Sequence, residues 1–181
     1  MKLVNCGSMS AKILGGIGID YENNKRKYMK IIIPPHKKIS TVVKNLKEIR
    51  QDASDMIKLI EKNDFKEGVW KQAYALSHSQ VSENPKTFFV INKTDPQIKK
   101  NFRKKIIINP VILEKAEEVF NKEACMSMPY RKSAKVKRYR KIKVIYYVPG
   151  WFGRLKKKVE TCVGLKAFIF SHEIEHFNGH Y

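Results

Sequence analysis

The sequence contains two histidines and a glutamate with the spacing of a metal-binding helix, in His172-Glu173-Ile174-Glu175-His176. Residues four apart lie on the same face of a helix, so the imidazoles of His172 and His176 can reach one ion while Glu173 lies over the ion's open position. A cysteine, Cys125, lies upstream in Glu123-Ala124-Cys125-Met126-Ser127. Together these residues predict a three-ligand site for a divalent ion that activates water for hydrolysis.

The histidine motif alone does not identify the third metal ligand. Metzincin proteases use a histidine six residues after the second, and this sequence has Gly179 where that pattern has a glycine but ends at Tyr181, before the required position. A thermolysin-like protease would need an acidic ligand further downstream, so both protease classes are disfavoured. His180 is a weaker candidate, because Gly179 is expected to end the helix before it. Cys125 is the favoured third ligand.

The composition indicates one compact, soluble domain. The chain has 181 residues, of which 43% are hydrophobic, and we expect a single domain over residues 1–181 with residues 1–38 as an N-terminal extension or strand region. The odd number of cysteines, three, favours a reducing compartment. No apolar run approaches the roughly 18 residues of a membrane helix. We therefore expect a cytoplasmic protein of bacterial type, or alternatively one of an organelle matrix, since residues 1–19 lack acids as transit peptides do.

The chain is strongly basic, with 37 lysines and arginines against 17 acids and a formal charge of +20. Such a charge attracts polyanions, and ribosomal RNA is one candidate partner. The alternative is a lysine-rich surface without a specific partner. We expect no membrane partner and a monomeric protein.

Two helices are predicted from the spacing of apolar residues. They recur every three or four positions from Ile39 to Ile60, which predicts a long N-terminal helix with one buried face. Thr161 is predicted to cap a final helix that carries both motif histidines, and Gly179 is predicted to end it. The metal-binding helix is therefore also a core helix.

Strands are predicted between these helices. Runs rich in β-branched and aromatic residues predict strands at Lys86–Lys93 and Lys104–Leu113. Alternating charged and apolar residues from Lys135 to Val148, followed by Pro149-Gly150-Trp151-Phe152-Gly153 and a second run from Arg154 to Val159, predict a β-hairpin.

Three segments resemble, in order, the motifs of the peptide deformylase family. The segment Ala73-Tyr74-Ala75-Leu76-Ser77-His78-Ser79-Gln80 resembles the family's Gly-x-Gly-x-Ala-Ala-x-Gln, residues 123–127 resemble Glu-Gly-Cys-Leu-Ser, and residues 172–176 resemble the third motif. Ile108-Asn109-Pro110 matches the strand before the second motif, and the resemblance covers about Ile39 to the end. It implies an α+β fold with mixed or antiparallel sheets around a central metal-binding helix.

The first motif departs most from the family. Ala73 and Ala75 replace its two glycines, and Ser77 and His78 replace its two alanines. Ala124 likewise replaces the glycine of the second motif. We expect these changes to add bulk beside the site, and an alanine would be strained wherever the backbone needs a positive φ.

The resemblance implies a metal-dependent hydrolase that removes the formyl group from the N-terminal formyl-methionine of nascent polypeptides. Cys125 thiolate and neutral His172 and His176 would hold one divalent ion, with Fe(II) expected and Ni, Co or Zn possible. Glu173 would accept the proton of the attacking water and pass it to the departing amine.

Further roles are expected for residues around these ligands. The side-chain amide of Gln80 and the backbone N–H of Met126 would stabilise the developing oxyanion. Leu165 and Phe168 share the helix face of His172 and could line an apolar slot for methionine, although both also suit an ordinary core. The implied substrate-binding set is completed by Tyr74 in the slot, Ala75 through its backbone, and Arg138 on a substrate carbonyl, where a solvated arginine is the alternative.

Two other functions remain as alternatives. One is a deformylase-like protein with weak activity or with another acyl-amide substrate, because its first motif is crowded. The other is a basic ribosome- or RNA-binding module in which the metal is only structural. An open water position on the metal favours an enzyme, whereas a closed four-ligand site favours the module.

Overall fold

The computed structural model describes residues 18–20, 25–32, 37–62, 73–94, 96–102, 105–128 and 133–180. These residues form an α+β fold. Its strands are β1 (Gly18–Asp20), β2 (Lys25–Tyr28), β3 (Ala75–Ser77), β4 (Phe88–Ile91), β5 (Ile106–Glu123), β6 (Ala134–Pro149) and β7 (Leu155–Val163). Its helices are α1 (Arg50–Lys62), α2 (Pro96–Asn101) and α3 (Leu165–Phe177). Among the described helices, none is long and apolar enough to cross a bilayer.

Five of the strands form one antiparallel sheet in the order β3-β4-β5-β6-β7, while β1 and β2 pair only with each other. The predicted strand at 86–93 is confirmed as β4. The predicted strand at 104–113 is confirmed as the start of β5, which runs on to Glu123, although residue 104 itself lies outside the described residues. The predicted hairpin is confirmed as β6 and β7, which pair from Pro149↔Leu155 to Lys141↔Val163.

Strand β4 is covered on both faces of the sheet. Phe88, Phe89, Val90 and Ile91 are all buried, because alternate residues of β4 point to opposite sides and each side has its own core. Phe89 and Ile91 pack in the cluster of α3, whereas Phe88 and Val90 pack in the cluster of α1. The central strands therefore hold the metal-motif helix on one side and the N-terminal helix on the other.

The predicted N-terminal helix begins eleven residues too early, at Ile39 instead of Arg50. Ile39 and Val42 are 73% and 64% exposed, residues 37–44 form no helix, and a 3-10 turn at Leu46–Glu48 leads into α1. Its backbone groups bond to other segments: Ser40 N–H donates to Phe177 C=O at 2.8 Å, and Thr41 N–H donates to Pro85 C=O at 2.9 Å. These bonds replace the helical ones, so the apolar spacing there does not produce a helix.

The last helix begins later than predicted and ends as predicted. Thr161 lies in β7, and the residue before the helix is Gly164 with φ 58°. The two residues after Thr161 still pair with β6. The strand therefore continues past Thr161, and this threonine does not cap the helix. At the other end Gly179 has φ 73°, and its N–H donates to His176 C=O at 3.1 Å.

Candidate metal centre and active site

Three potential metal ligands meet at one buried point. His172 and His176 lie one turn apart on α3, and Cys125 follows the end of β5. Their donor atoms all lie within 4.8 Å of one another, with Cys125 Sγ 3.4 Å and His172 Nε2 3.0 Å from His176 Nε2. A four-coordinate ion with bonds of about 2.0–2.3 Å holds its ligands roughly 3.3–3.7 Å apart. One thiolate and two imidazoles at this spacing therefore fit a single divalent ion.

The other nitrogen of each imidazole is also held. His176 Nδ1 lies 2.9 Å from the carbonyl oxygen of His180, and His172 Nδ1 lies 2.9 Å from Glu123 Oε2. Such contacts fix the tautomer and direct Nε2 toward the ion. His180 thus supports His176 through its backbone carbonyl. Its side chain is exposed and does not belong to the ligand cluster found among the described residues.

Arg138 joins the support of His172 and does not face the cavity as a free cation. Its side chain is 4% exposed and donates to both carboxylate oxygens of Glu123, at 2.9 and 2.8 Å, and to both of Glu175, at 2.6 and 2.8 Å. The expectation that Arg138 contacts a substrate carbonyl is corrected on this point, because two carboxylates already take its donors.

Burial and hydrogen bonding shift the pKa values of this network in opposite directions. Burial alone would raise the pKa of Glu123, but hydrogen bonds from His172 and Arg138 outweigh it and lower the pKa to about 2. Burial alone would lower the pKa of His172, but contacts with Cys125 and Glu123 outweigh it and raise the pKa to about 10. Burial and the neighbouring charge of His172 lower the pKa of His176 to about 3. The network is thus strongly coupled before any ion binds.

Glu173 lies beside the ligands and is itself buried. Burial raises the pKa of its carboxyl group, while the charge of His172 and a hydrogen bond from Ser77 oppose that rise. Ser77 Oγ lies 2.5 Å from Glu173 Oε2 and donates to it. Because Ser77 lies in β3 of the first motif, this contact joins the first and third motifs directly. Spacing within the sequence gave no signal for it, since the two residues are far apart in the chain.

Gln80 is buried beside the Cys125 thiol. Its Oε1 accepts from Ser77 N–H at 2.8 Å, which directs the amide nitrogen toward the ligands. Nε2 lies 3.5 Å from Cys125 Sγ and donates to Ser127 Oγ at 3.1 Å. Met126 follows Cys125 in the turn closed by Met128 N–H and Cys125 C=O at 3.0 Å.

A cavity of about 340 Å³ opens onto these groups. Four of the predicted substrate-binding residues line it together with Cys125, His172 and Glu173: Tyr74, Ala75, Leu165 and Phe168. The sequence gave no indication that Asn121, Lys122 and Ile169 also line it. A second cavity of about 270 Å³ lies on the other side of the ligands, along Arg138 and His180.

Comparison with known proteins agrees with this geometry. The family model described as polypeptide deformylase matches residues 28–181. The chain belongs to the peptide deformylase family. It is 32% identical over 154 residues to peptide deformylase of Wigglesworthia glossinidia brevipalpis, which covers 83% of this chain and 90% of that protein. The match to the Desulfotalea psychrophila enzyme, 34% identical, covers 58% of this chain and 57% of that protein. The crystal structure of the Thermotoga maritima peptide deformylase superposes with a TM-score of 0.64 at 25% identity, covering 84% of this chain and 92% of that one.

The alanines that replace family glycines in this deformylase cause no backbone strain. Positive φ at non-glycine residues occurs, within the described ranges, at Asn109, Glu117 and Phe152. The alanines that replace family glycines, Ala73, Ala75 and Ala124, therefore adopt backbone conformations open to any residue. They line the cavity without backbone strain.

His78 does not add bulk beside the site, and that expectation is wrong. Its ring points to the other face of the sheet, where it stacks on Phe88 with centroids 4.7 Å apart. Nδ1 accepts from Lys86 N–H at 2.9 Å, so the proton lies on Nε2, which is 3.3 Å from Asp52 of α1. His78 thus joins the first motif to α1, and Ser77 is the one of the two replacements that faces the catalytic groups.

Proposed function

We propose that this chain carries out its family's reaction, the hydrolytic removal of formyl from the N-terminal formyl-methionine of nascent polypeptides, with Cys125, His172 and His176 as metal ligands and Glu173 as proton-transfer group. The observation that carries these assignments is the meeting of the three ligand atoms beside a buried carboxylate in the lining of a cavity that also presents apolar side chains. A metal-dependent hydrolase combines a metal site, a proton-transfer group and a substrate cavity at one point.

The proposed cofactor is one divalent ion, with Fe(II) expected and Ni, Co or Zn able to replace it. A thiolate with two imidazoles suits each of these ions, so the donor set does not choose among them. When bound, the ion supplies the Lewis acidity that lowers the pKa of water toward about 7 and polarises the formyl oxygen.

The chain's own residues supply the proton transfers and the oxyanion donors. Glu173 accepts a proton from the attacking water and gives it to the amine that leaves. The pKa of the Glu173 carboxyl group is raised toward neutral pH, and this suits a group that must first accept a proton and then donate it. The amide of Gln80 and the N–H of Met126 donate to the oxygen that gains negative charge, a contribution of about 3 kcal/mol per donor in comparable sites.

The cavity is proposed to bind the methionine side chain and the first peptide bonds. Leu165 and Phe168 present apolar surface two turns and one turn before His172 on α3, respectively. Tyr74 and Ala75 lie opposite, at the start of β3, where the backbone can bond to an extended peptide.

Formate release from formyl-Met-Ala-Ser by the anaerobically prepared Fe(II) or Ni(II) protein tests this proposal. We expect turnover that Glu173→Ala abolishes while metal stoichiometry stays at one, and that Cys125→Ala abolishes together with metal binding. Replacement of the exposed Glu83 by alanine is the control and leaves turnover unchanged. A metal-loaded protein that releases no formate would reject the assignment.

We further propose that the protein is a cytoplasmic monomer that acts on nascent chains at the ribosome. Its β6–β7 hairpin is proposed to contact ribosomal RNA. Between Lys135 and Val159 the sequence contains ten lysines and arginines and no acid. Trp151 and Phe152, at the hairpin tip, are 84% and 98% exposed. Exposed aromatic rings beside lysines suit base stacking and phosphate contact.

Cosedimentation with ribosomes over a range of salt concentrations tests the hairpin. Replacing Lys156, Lys157 and Lys158 with glutamine is expected to weaken binding and to reduce the slope of log K against log salt by about 2–3, at roughly 0.7–0.9 for each lost phosphate contact. The control replaces three exposed lysines elsewhere: Lys44, Lys47 and Lys100. Equal effects of the two triple variants would reject the hairpin as the contact surface and leave only diffuse charge.

A further inference from the structure

Ser77 contacts two of the groups assigned to the reaction. Its Oγ lies 2.5 Å from Glu173 Oε2 and 3.2 Å from the carbonyl oxygen of the same residue. A hydroxyl has one proton, and the shorter contact with a carboxylate takes it. Ser77 is fully buried and Glu173 is 4% exposed, so water does not compete for this bond.

This bond constrains the orientation of the Glu173 carboxylate. A glutamate side chain rotates about three bonds before its carboxylate, and burial alone does not fix the last of them. With Oε2 held by Ser77, the remaining oxygen, Oε1, is the one available to a water in the cavity. The serine therefore determines which oxygen exchanges protons with the substrate.

The backbone of the same residue orients Gln80. Ser77 N–H donates to Gln80 Oε1 at 2.8 Å, and this leaves Nε2 directed toward Cys125 and Ser127. The amide of Gln80 cannot flip without losing this bond. One residue thus holds the proton acceptor through its side chain and the oxyanion donor through its main chain.

We propose that Ser77 is a positioning residue that fixes the Glu173 carboxylate for proton transfer. The proposal rests on the role assigned to Glu173. The peptide deformylase motif that this segment resembles has alanine here, so the side-chain bond is a feature of this chain, whereas the backbone bond to Gln80 is open to any residue. Substitution of Ser77 consequently removes the first contact and keeps the second.

Steady-state kinetics on formyl-Met-Ala-Ser with Ser77→Ala, Ser77→Thr and Ser77→Val test the proposal. A hydrogen bond to a charged group contributes enough to account for about a tenfold change in rate. We expect kcat of Ser77→Ala to fall about tenfold with KM within about twofold, because the bond matters to proton transfer and not to binding. Threonine keeps the hydroxyl and is expected to retain most of kcat, while valine, of nearly the same shape, is expected to lose it.

The matched control is Ser171→Ala. Ser171 is also a buried serine, but its hydroxyl donates to Ala167 C=O at 2.9 Å, one turn back in α3, and not to the Glu173 carboxylate. We expect this variant to keep kcat within about twofold. A kcat of Ser77→Ala equal to or above that of the control would overturn the proposal, as would equal rates for the threonine and valine variants.

A double-mutant cycle on the metal-free protein gives a readout that needs no turnover. Urea unfolding midpoints are compared for Ser77→Ala, Glu173→Ala and the double variant. Coupled residues shift the midpoint together by an amount that differs from the sum of their separate effects. Additive effects would overturn the Ser77 contact, whether or not the metal-loaded protein removes formyl from its expected substrate. Absence of formate release by the unsubstituted protein would instead overturn the reaction assignment.

Discussion

Replacement of Arg138 by methionine tests how the support of His172 contributes to the metal site. Methionine has a similar length and no charge. The Glu123 carboxylate would therefore stay buried against His172 but lose the guanidinium of Arg138. Glu175 is 44% exposed, and solvent compensates for most of its loss. The effect is therefore expected to come mainly from Glu123.

The magnitude follows from the pKa of Glu123. Its lowering from 4.5 to about 2 corresponds to about 3 kcal/mol, at 1.36 kcal/mol per pKa unit. His172 supplies the larger part of this, Arg138 supplies a smaller part, and solvent at the cavity rim screens both. We expect Arg138→Met to lower the free energy of unfolding by about 1 kcal/mol, or Tm by roughly 2–4 °C for a chain of this size. Affinity for the metal is expected to fall about 10- to 100-fold, because His172 loses its oriented partner.

Urea unfolding of the metal-free protein and competition with a chelating indicator measure the two effects. Lys137→Met is the matched control, because the Lys137 cation pairs with Glu118 on the exposed surface, where solvent screens the pair, and its loss is expected to leave stability and metal affinity nearly unchanged. If Arg138→Met unfolds and binds metal like this control, the assigned role of the network is wrong.

Three further predictions concern stability. Because the pKa of Glu123 is lowered on folding, its contribution is complete above pH 4.5 and is lost as the pH falls toward about 2, so the urea midpoint of the metal-free protein should decline over that range and less so in Glu123→Gln. Gly179→Ala should lower the free energy of unfolding by about 2 kcal/mol in thermal melts, because φ is 73° and the new Cβ would lie 2.5 Å from Lys37 C=O; no loss would show that the helix end shifts freely. His78→Ala should cost about 2 kcal/mol through lost packing and the Asp52 contact, yet keep kcat per folded molecule, and a loss of kcat at unchanged stability would contradict its placement away from the site.

The ligand set was within reach of the sequence because its chemistry is local. Two histidines four apart specify a helix face, and Cys125 was the remaining sulfur with a plausible motif around it. Strand β4 was equally accessible, since an uninterrupted apolar run needs two covered faces. These features depend on neighbours in the chain.

The errors arose where distant segments compete for backbone or side-chain groups. Ile39 and Val42 have helical spacing, but bonds from Ser40 and Thr41 to remote carbonyls hold that segment extended. Arg138 resembles a free surface arginine until the fold brings two carboxylates to it. The contact of Ser77 with Glu173 likewise exists only after β3 packs against α3.

The extended segment before α1 has a consequence for synthesis of the protein. Ser40 bonds to the end of α3, and Lys37 lies against Gly179. This early segment therefore cannot reach its folded contacts until the last helix has been synthesised. Translation delivers Cys125 well before His172 and His176. The thiol must therefore leave the ribosome without its two partners, and the ion can be captured by all three ligands only after nearly the whole chain has emerged. This enzyme, whose substrates are growing chains, completes its own active site among its last folding steps.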